Sequence, residues 1–539
     1  MNFKAELLVA GASGVLCHNL VFIHGEWHMH ATSLLKLSAA SFAAVAAFEA
    51  AYQGLSLASA LAASGEICST YLSCLFASMV IYRTVFHRLR HFPGPALAKV
   101  SKLWHVARCL DSKNHLLLER LHREYGDFVR TGPNELTIFA PNVLPTILEG
   151  PSNPFSKPAW YDSLQPYIGL TNHRNRKVHE RHRRVWDHGF TTQALQSYQA
   201  QIKVYARQLE RVIADNGPKP ISANECFCWF SFDVMGQFAF SKSFNNLRDR
   251  KLHDAIRMIH SGMSLTGPFT PVPWLIRIGF ENPIAGMARD LHRLLKWCSE
   301  QMDERIERNV DNLDISHYLI QGSAKRGTLH EDQTTLYGDA IGMIVAGSDT
   351  TASTLVSLFY RLVQHPEHMR KLQEELDTAG DVEDFTVLQK LPHLNGIVNE
   401  ILRLYPAVPT GGLRETPPGG ANICGRFVPG NTIICAPRYT LSRLDSCFER
   451  PTEFVPERWY RRTEMVRNKN AFAPFSLGRY NCIGKNLALA ELRFVTALLV
   501  IKYDVSFAEG EDGKFVDGDL MDQFTATPGR LRLVFRERK

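Results

Sequence analysis

The sequence predicts a mainly α-helical body with a small β subdomain, preceded by N-terminal helices that enter a membrane. Three observations carry this prediction. Residues 1–88 hold three apolar tracts long enough to cross a bilayer. From Val178 onward, long helix-patterned segments dominate. The β signals are short, at 128–138, 422–435 and 522–538.

The first tract, Ala5 to Ile23, is apolar apart from Glu6, His18 and Asn19. The second, Leu34 to Ala63, is rich in Ala, Leu and Ser and contains Lys36 and Glu49; the third runs from Ile67 to Phe86. A span needs about 20 mostly apolar residues, so each qualifies by length. Apolar sequence continues well past any h-region, which argues against a simple cleavable signal. Arg83, Arg88 and Arg90 place the end of the third tract in the cytosol. Three spans then put the N-terminus in the lumen and the loop His24-Gly-Glu-Trp-His-Met-His30 in the cytosol. The middle tract, with Glu49 inside it, also fits a re-entrant segment. His24 and His28 have the spacing of a helical metal pair, although a solvated interfacial loop anchored by Trp27 is the preferred reading. Phe92-Pro93-Gly94-Pro95 stops any helix and turns the chain. The division is therefore a membrane anchor at 1–91 and a globular body at 92–539.

Within the body, Asn114 to Tyr125 is helix-patterned, and Phe128 to Ile138 reads as two short strands around a Gly132-Pro133 turn. His179 and Arg183 lie one turn apart on a predicted basic helix. The helix Asp339-Ala-Ile-Gly-Met-Ile-Val-Ala-Gly-Ser-Asp-Thr-Thr351 carries small residues and then an acid and two hydroxyls. Ala346 and Gly347 allow close approach of a ligand, and Asp349 with Thr350 could pass protons as general acid catalysis requires; a bare back-bond from Thr350 to its own helix is the bland alternative. Glu400 and Arg403 face each other at i,i+3 among Val398, Ile401, Leu402 and Leu404, which predicts a buried pair. Phe475-Ser-Leu-Gly478-Arg479-Tyr-Asn-Cys482-Ile-Gly484 precedes a helix at Lys485 to Lys502. A cysteine between glycines and ahead of a helix N-terminus suits a thiolate presented to a metal.

Composition narrows the classes. The 539 residues carry a net charge of +7 without basic blocks interleaved with aromatics, so nucleic-acid binding is unsupported. The 11 dispersed cysteines, with no paired zinc spacing, read as reduced thiols, and Cys226 and Cys228 read as core residues.

These strings together resemble the cytochrome P450 superfamily over residues 92–539, and fungal microsomal members in particular through Arg130-Thr-Gly-Pro-Asn-Glu135 and the several N-terminal spans. The resemblance implies the cytochrome P450 fold and haem b (iron protoporphyrin IX) ligated by Cys482, with Phe475, Gly478 and Gly484 completing the cysteine loop. The family arginine two residues before the cysteine is here Tyr480, with Arg479 one place earlier; Arg479 or Tyr480 is then the candidate for that propionate contact. His179, Arg183 and Arg414 resemble the other propionate partners. Asp349 and Thr350 take the proton-delivery roles. Glu400 and Arg403, joined by Arg458 of Pro456-Glu-Arg-Trp459, form a structural lock. Ile344, Ala346, Val408 and Phe524 are the tentative substrate pocket, together with the loop Phe155 to Leu170.

The implied activity is oxidation of a hydrophobic small molecule, an intermediate of fungal secondary metabolism, with O2 and with electrons from NADPH–cytochrome P450 reductase; cytochrome b5 is a possible second donor. Arg479 and Lys485 mark a basic docking face. The implied location is the endoplasmic reticulum membrane, with the body facing the cytosol. A haem-thiolate isomerase that needs no reductase is the rival class, separable by dependence on NADPH and O2.

Overall fold

In a computed structural model, residues 3–150, 152–282, 286–308 and 312–538 are described. The N-terminal region forms α1 (Phe3–Cys17), continued by a π-turn to Phe22, then α2 (Ala31–Tyr52) and α3 (Leu57–Ile81), continued by a second π-turn to Phe86. All three are long and apolar enough to cross a membrane. The break between the second and third helices lies ten residues earlier than the composition suggests. A turn at 53–56 ends α2, and Ser56 Oγ caps α3 by accepting from Ser59 N. Ala31–Tyr52, which holds most of the middle tract, is a helix of 22 residues. The first and third helices run parallel, because Gly11 and Gly14 face Thr70 to Leu75 while His18 Nδ1 lies 2.8 Å from Ser78 Oγ. Gln53 donates to Glu6 Oε1 at the far end.

The body is organised around α10 (Gln333–Gln364), which is buried on nearly every face of its middle and C-terminal turns. Ahead of it come α4 (Arg176–His188), α5 (Thr192–Asn216), α6 (Ala223–Phe240), α7 (Asp254–Phe269), α8 (Pro273–Glu281) and α9 (Gly286–Arg308). After it come α11 (Pro392–Leu404) and α12 (Lys485–Lys502). An apolar helix without a polar face belongs in a core, and α6 illustrates it: Phe227, Phe230, Phe232, Phe238 and Phe240 are all fully buried. α6 packs closely on α10 at Gly347, where a Cβ would displace the Met235 thioether. Gly347 thus serves helix packing as well as clearance for a ligand.

The β subdomain holds β1 (Phe128–Gly132), β2 (Glu135–Ile138), β4 (Arg414–Glu415) and β7 (Ile433–Cys435) in the order β1-β2-β7-β4. Leu136 pairs with Ile434 in parallel, and Ile434 with Arg414 antiparallel, which fixes Arg414 at the inner edge. A hairpin of β5 (Ala421–Ile423) and β6 (Arg426–Val428) stands apart. A third sheet joins β3 (Ile221–Ser222), β11 (Arg532–Glu537) and β8 (Tyr503–Phe507). The hairpin of β9 (Met521–Gln523) and β10 (Thr525–Thr527) turns on Phe524 at φ +73°, a strained conformation for a bulky residue.

Candidate active site

A cavity of about 350 Å³ lies between α4, α10, the start of α12, the cysteine loop and the β9–β10 tip. A larger cleft of about 790 Å³, lined by Arg361, Lys371, Arg461 and other charged groups, lies elsewhere and holds none of the expected site residues.

Cys482 opens into the 350 Å³ cavity. Its backbone N–H donates to the Phe475 carbonyl at 2.8 Å, which folds the loop back under the sulfur. Burial pushes the thiol up from its ordinary value, while the N–H groups of Gly484 and Lys485 and the charge of Arg183 pull it down. Those same donors at the start of α12 favour the thiolate once a metal takes the sulfur. Phe475 and Gly484 line the cavity beside it. Gly478 does not: at φ +64°, a Cβ there would overlap the Leu148 carbonyl, so it lets the cysteine loop pass the 143–148 helix rather than a ligand.

On α10, Ala346 and Thr350 reach the cavity. Thr350 Oγ1 donates to the Ala346 carbonyl at 2.7 Å, the back-bond of the bland alternative, yet its hydroxyl stands at the cavity wall. Asp349 lies off the lining and accepts from Thr525 Oγ1 at 2.6 Å, with His260 Nε2 3.8 Å away. Ile344 is a correction: it is fully buried in the core on another face of α10. Val408 and Phe524 line the cavity as expected, and Phe524 stacks on Trp160 at 5.0 Å.

Cations crowd one end. His179, Arg183 and Arg414 line the cavity as expected, and Lys157 and Arg438 join them. Burial, then Lys157 and Arg183, push His179 down to about 3. Burial and then Arg414 hold Lys157 well below the usual lysine range. His179 Nδ1 and Arg414 Nε are buried with no hydrogen-bond partner. Buried cations that repress one another, with polar atoms left over, require anions. Two propionates satisfy that requirement, so the residues fit haem b.

Arg479 does not share in this cluster, which corrects its assignment. Its guanidinium faces Glu180 Oε1 at 3.5 Å and the Asn153 carbonyl at 3.3 Å, off the cavity lining. Tyr480 takes the inner position, with its ring 4.8 Å from the Arg414 guanidinium, 4.5 Å from Lys157 Nζ and 4.6 Å from the His179 ring.

Sequence reasoning also missed Glu491, a buried carboxyl at the cavity wall. Burial pushes it up to about 8, which favours its protonated form at neutral pH. The available signal was an acid inside the apolar run Leu487 to Leu492.

Glu400 sits behind the site with no exposed surface. It accepts from Arg403 Nη2 at 2.8 Å and Nε at 2.9 Å, Arg458 Nε at 2.9 Å, Val455 N at 3.0 Å and Trp459 Nε1 at 2.9 Å. Arg403 and Arg458 then bind the carbonyls of Ser442, Pro451, Glu449 and Arg450. Trp459 is a member that charge pairing alone did not reveal.

The chain belongs to the cytochrome P450 family, whose profile matches residues 93–535. It is 36% identical over 521 residues to tryprostatin B 6-hydroxylase of Aspergillus fumigatus, covering 94% of this chain and 92% of that one. It is 36% identical over 534 residues to cytochrome P450 monooxygenase FCK2 of Fusarium pseudograminearum, covering 97% and 96%. A crystal structure of the cytochrome P450DA heme domain superposes with a TM-score of 0.66 at 18% identity, over 79% of this chain and 94% of that chain, a likeness of fold. The protein is accordingly a haem-dependent monooxygenase with apolar N-terminal helices suited to membrane anchoring.

Proposed function

We propose that this enzyme hydroxylates a hydrophobic intermediate of fungal secondary metabolism. The observation that carries the reading is that Cys482 and Thr350 line one cavity bounded at one end by Lys157, Arg183 and Arg414, where His179 Nδ1 and Arg414 Nε are left without a hydrogen-bond partner among the described residues. Relatives named for 6-hydroxylation of tryprostatin B favour hydroxylation over other oxidations. Haem b, which Cys482 would ligate as a thiolate, would supply the metal for O2 activation. His179, Arg183, Arg414 and Lys157 bind its propionates. The Thr350 hydroxyl holds a proton at the cavity wall, and Asp349, kept on Thr525, lies one residue away to resupply it. Ala346, Val408 and Phe524 shape an apolar substrate space.

The domain division and topology belong to the same proposal: residues 1–91 anchor the protein through three spans, and 92–539 form the catalytic body. Connection 23–30 and the end of α3 both touch the body, with Arg83 donating to the Val100 carbonyl at 2.7 Å and Arg174 to Glu26 at 2.7 Å. The N-terminus and turn 53–56 share the other end. These contacts support three spans with the body on one side, and the protein is proposed to sit in the endoplasmic reticulum membrane with the body facing the cytosol. NADPH–cytochrome P450 reductase, assisted by cytochrome b5, supplies electrons at the basic face around Lys485.

The test is the difference spectrum of the reduced, carbon monoxide-treated protein, with turnover assayed in microsomes. The native chain gives the red-shifted Soret band of a thiolate ligand, Cys482→Ala loses it, and product formation requires both NADPH and O2. A band at the imidazole position, or turnover without O2, would overturn the proposal.

A further inference from the structure

Glu26, His28 and Asp162 place ligand atoms within 4.8 Å of one another, a set suited to a cation. The cation among them is Arg174. It donates from Nη2 to Glu26 Oε1 and from Nη1 to Glu26 Oε2, both at 2.7 Å, and from Nη1 to Asp162 Oδ2 at 2.5 Å. His28 Nε2 lies 3.3 Å from the same Asp162 oxygen. Connection 23–30 therefore docks on the catalytic body through Glu26 and His28, while His24, Gly25 and His30 stay exposed as a solvated loop would have them.

The contact continues into the cavity wall. Arg174 Nε donates to the Lys157 carbonyl at 3.1 Å, and Lys157 Nζ to the Thr171 carbonyl at 2.6 Å. Asn172 Nδ2 donates to the Tyr161 carbonyl at 3.2 Å. Lys157, Tyr161, Thr171 and Asn172 all line the cavity. Apart from a single 3₁₀ turn at Ala159–Asp162, segment 157–174 has no regular structure, so side-chain anchors set its position. A second path closes the circuit. Gln165 Nε2 donates to Asp162 Oδ1 at 3.2 Å, and Arg277 of α8 donates to the Gln165 carbonyl. Arg277 Nε pairs with Glu281 at 2.6 Å, and α8 packs against α2 and the turn at 28–30 that precedes it. The first N-terminal hairpin thus grips the wall at two points.

We propose that Glu26, acting through Arg174, is a positioning residue of the active site: the connection between the first two N-terminal helices fixes the 157–174 wall and thereby sets ligand affinity, beyond its role in anchoring. The inference adds to the haem reading and uses it for one of two readouts.

The test uses the full-length holoenzyme in phospholipid nanodiscs, with Glu26→Gln, Arg174→Gln and the double variant. Affinity for an iron-binding imidazole is read from the Soret shift, and order in segment 157–174 from the rate of protease cleavage there. Loss of a charge-assisted pair with one half-exposed member weakens ligand affinity about threefold to tenfold in each single variant. Cleavage accelerates by a similar factor, the ligand-free spectrum is unchanged, and the double variant is no worse than the worse single one. Glu26→Gln at native levels in both readouts overturns the proposal, as does a double variant equal to the product of the singles. Glu26 lies off the cavity, so Glu26→Gln carries the test alone if Arg174→Gln fails to fold. A protein without any Soret response would sink the haem reading, while cleavage would still report on the wall.

Discussion

At the scale of single residues, Tyr480 explains how the cysteine loop manages without the family arginine. Its ring lies against Lys157 and Arg414, so the positive charge comes from neighbouring elements instead of the loop itself. Among the described residues Lys157 has no carboxylate partner, whereas Arg479 already faces Glu180. Lys157→Gln is therefore expected to speed haem transfer to an apoglobin about tenfold with an unchanged Soret position, by loss of a buried charge-assisted bond. Arg479→Gln is expected to stay within about twofold. Equal effects would return Arg479 to the propionate site. The residues legible in the sequence were those in unbroken local strings, such as Cys482 and Thr350, whose spacing encodes their chemistry. The loop 155–170 was expected at the pocket, but the part Lys157 plays beside His179 was illegible because it lies 22 residues earlier in a segment without periodicity, and only the folded wall brings them together.

At the scale of elements, periodic helices and turn-bounded strands were readable to within a residue. Asn114–Tyr125 and Lys485–Lys502 are helices with the expected ends, and β1 and β2 flank a turn at Pro133-Asn134, one residue later than the expected Gly132-Pro133. The start of α3 was missed because uniform Ala/Leu/Ser composition hides a break that Ser56 makes by capping. Between elements, Glu400 ties α11 to the Pro456–Trp459 turn, a link that only the Pro-Glu-Arg-Trp string hinted at. Glu400→Gln keeps the shape but leaves two guanidiniums buried without a countercharge. Breaking such a pair costs about 3–5 kcal/mol, so the denaturant midpoint should fall with little change in its slope. A loss under about 1 kcal/mol would mean that the carbonyls around Arg403 and Arg458 suffice.

At the scale of the whole molecule, buried titratable groups set opposing limits on stability. Burial, reinforced by nearby cations, pushes His105 and His115 down to about 3 and His87 and His393 down to about 4. These rings stay neutral when folded but take a proton when unfolded below their ordinary value near 6.5. Stability therefore falls as pH drops from about 6.5, by up to about 1.4 kcal/mol per pH unit for each ring. The acids act the other way. Burial raises Glu491 to about 8 and Asp522 to about 7, so each keeps a proton in the fold that the unfolded chain releases. Their effect lowers stability as pH rises from about 4 and ends at their folded values. Four rings outweigh two acids between about 4.5 and 6.5; above about 6.5 the acids act without opposition from the rings. The thermal midpoint of the membrane-reconstituted protein should accordingly peak near pH 6.5 and decline toward pH 8. Glu491→Gln should flatten that decline and leave the acid limb unchanged. A midpoint still rising between pH 6.5 and 8, or a native slope in Glu491→Gln, would show that Glu491 is ionised in the fold and that the cavity wall near Cys482 carries a negative charge.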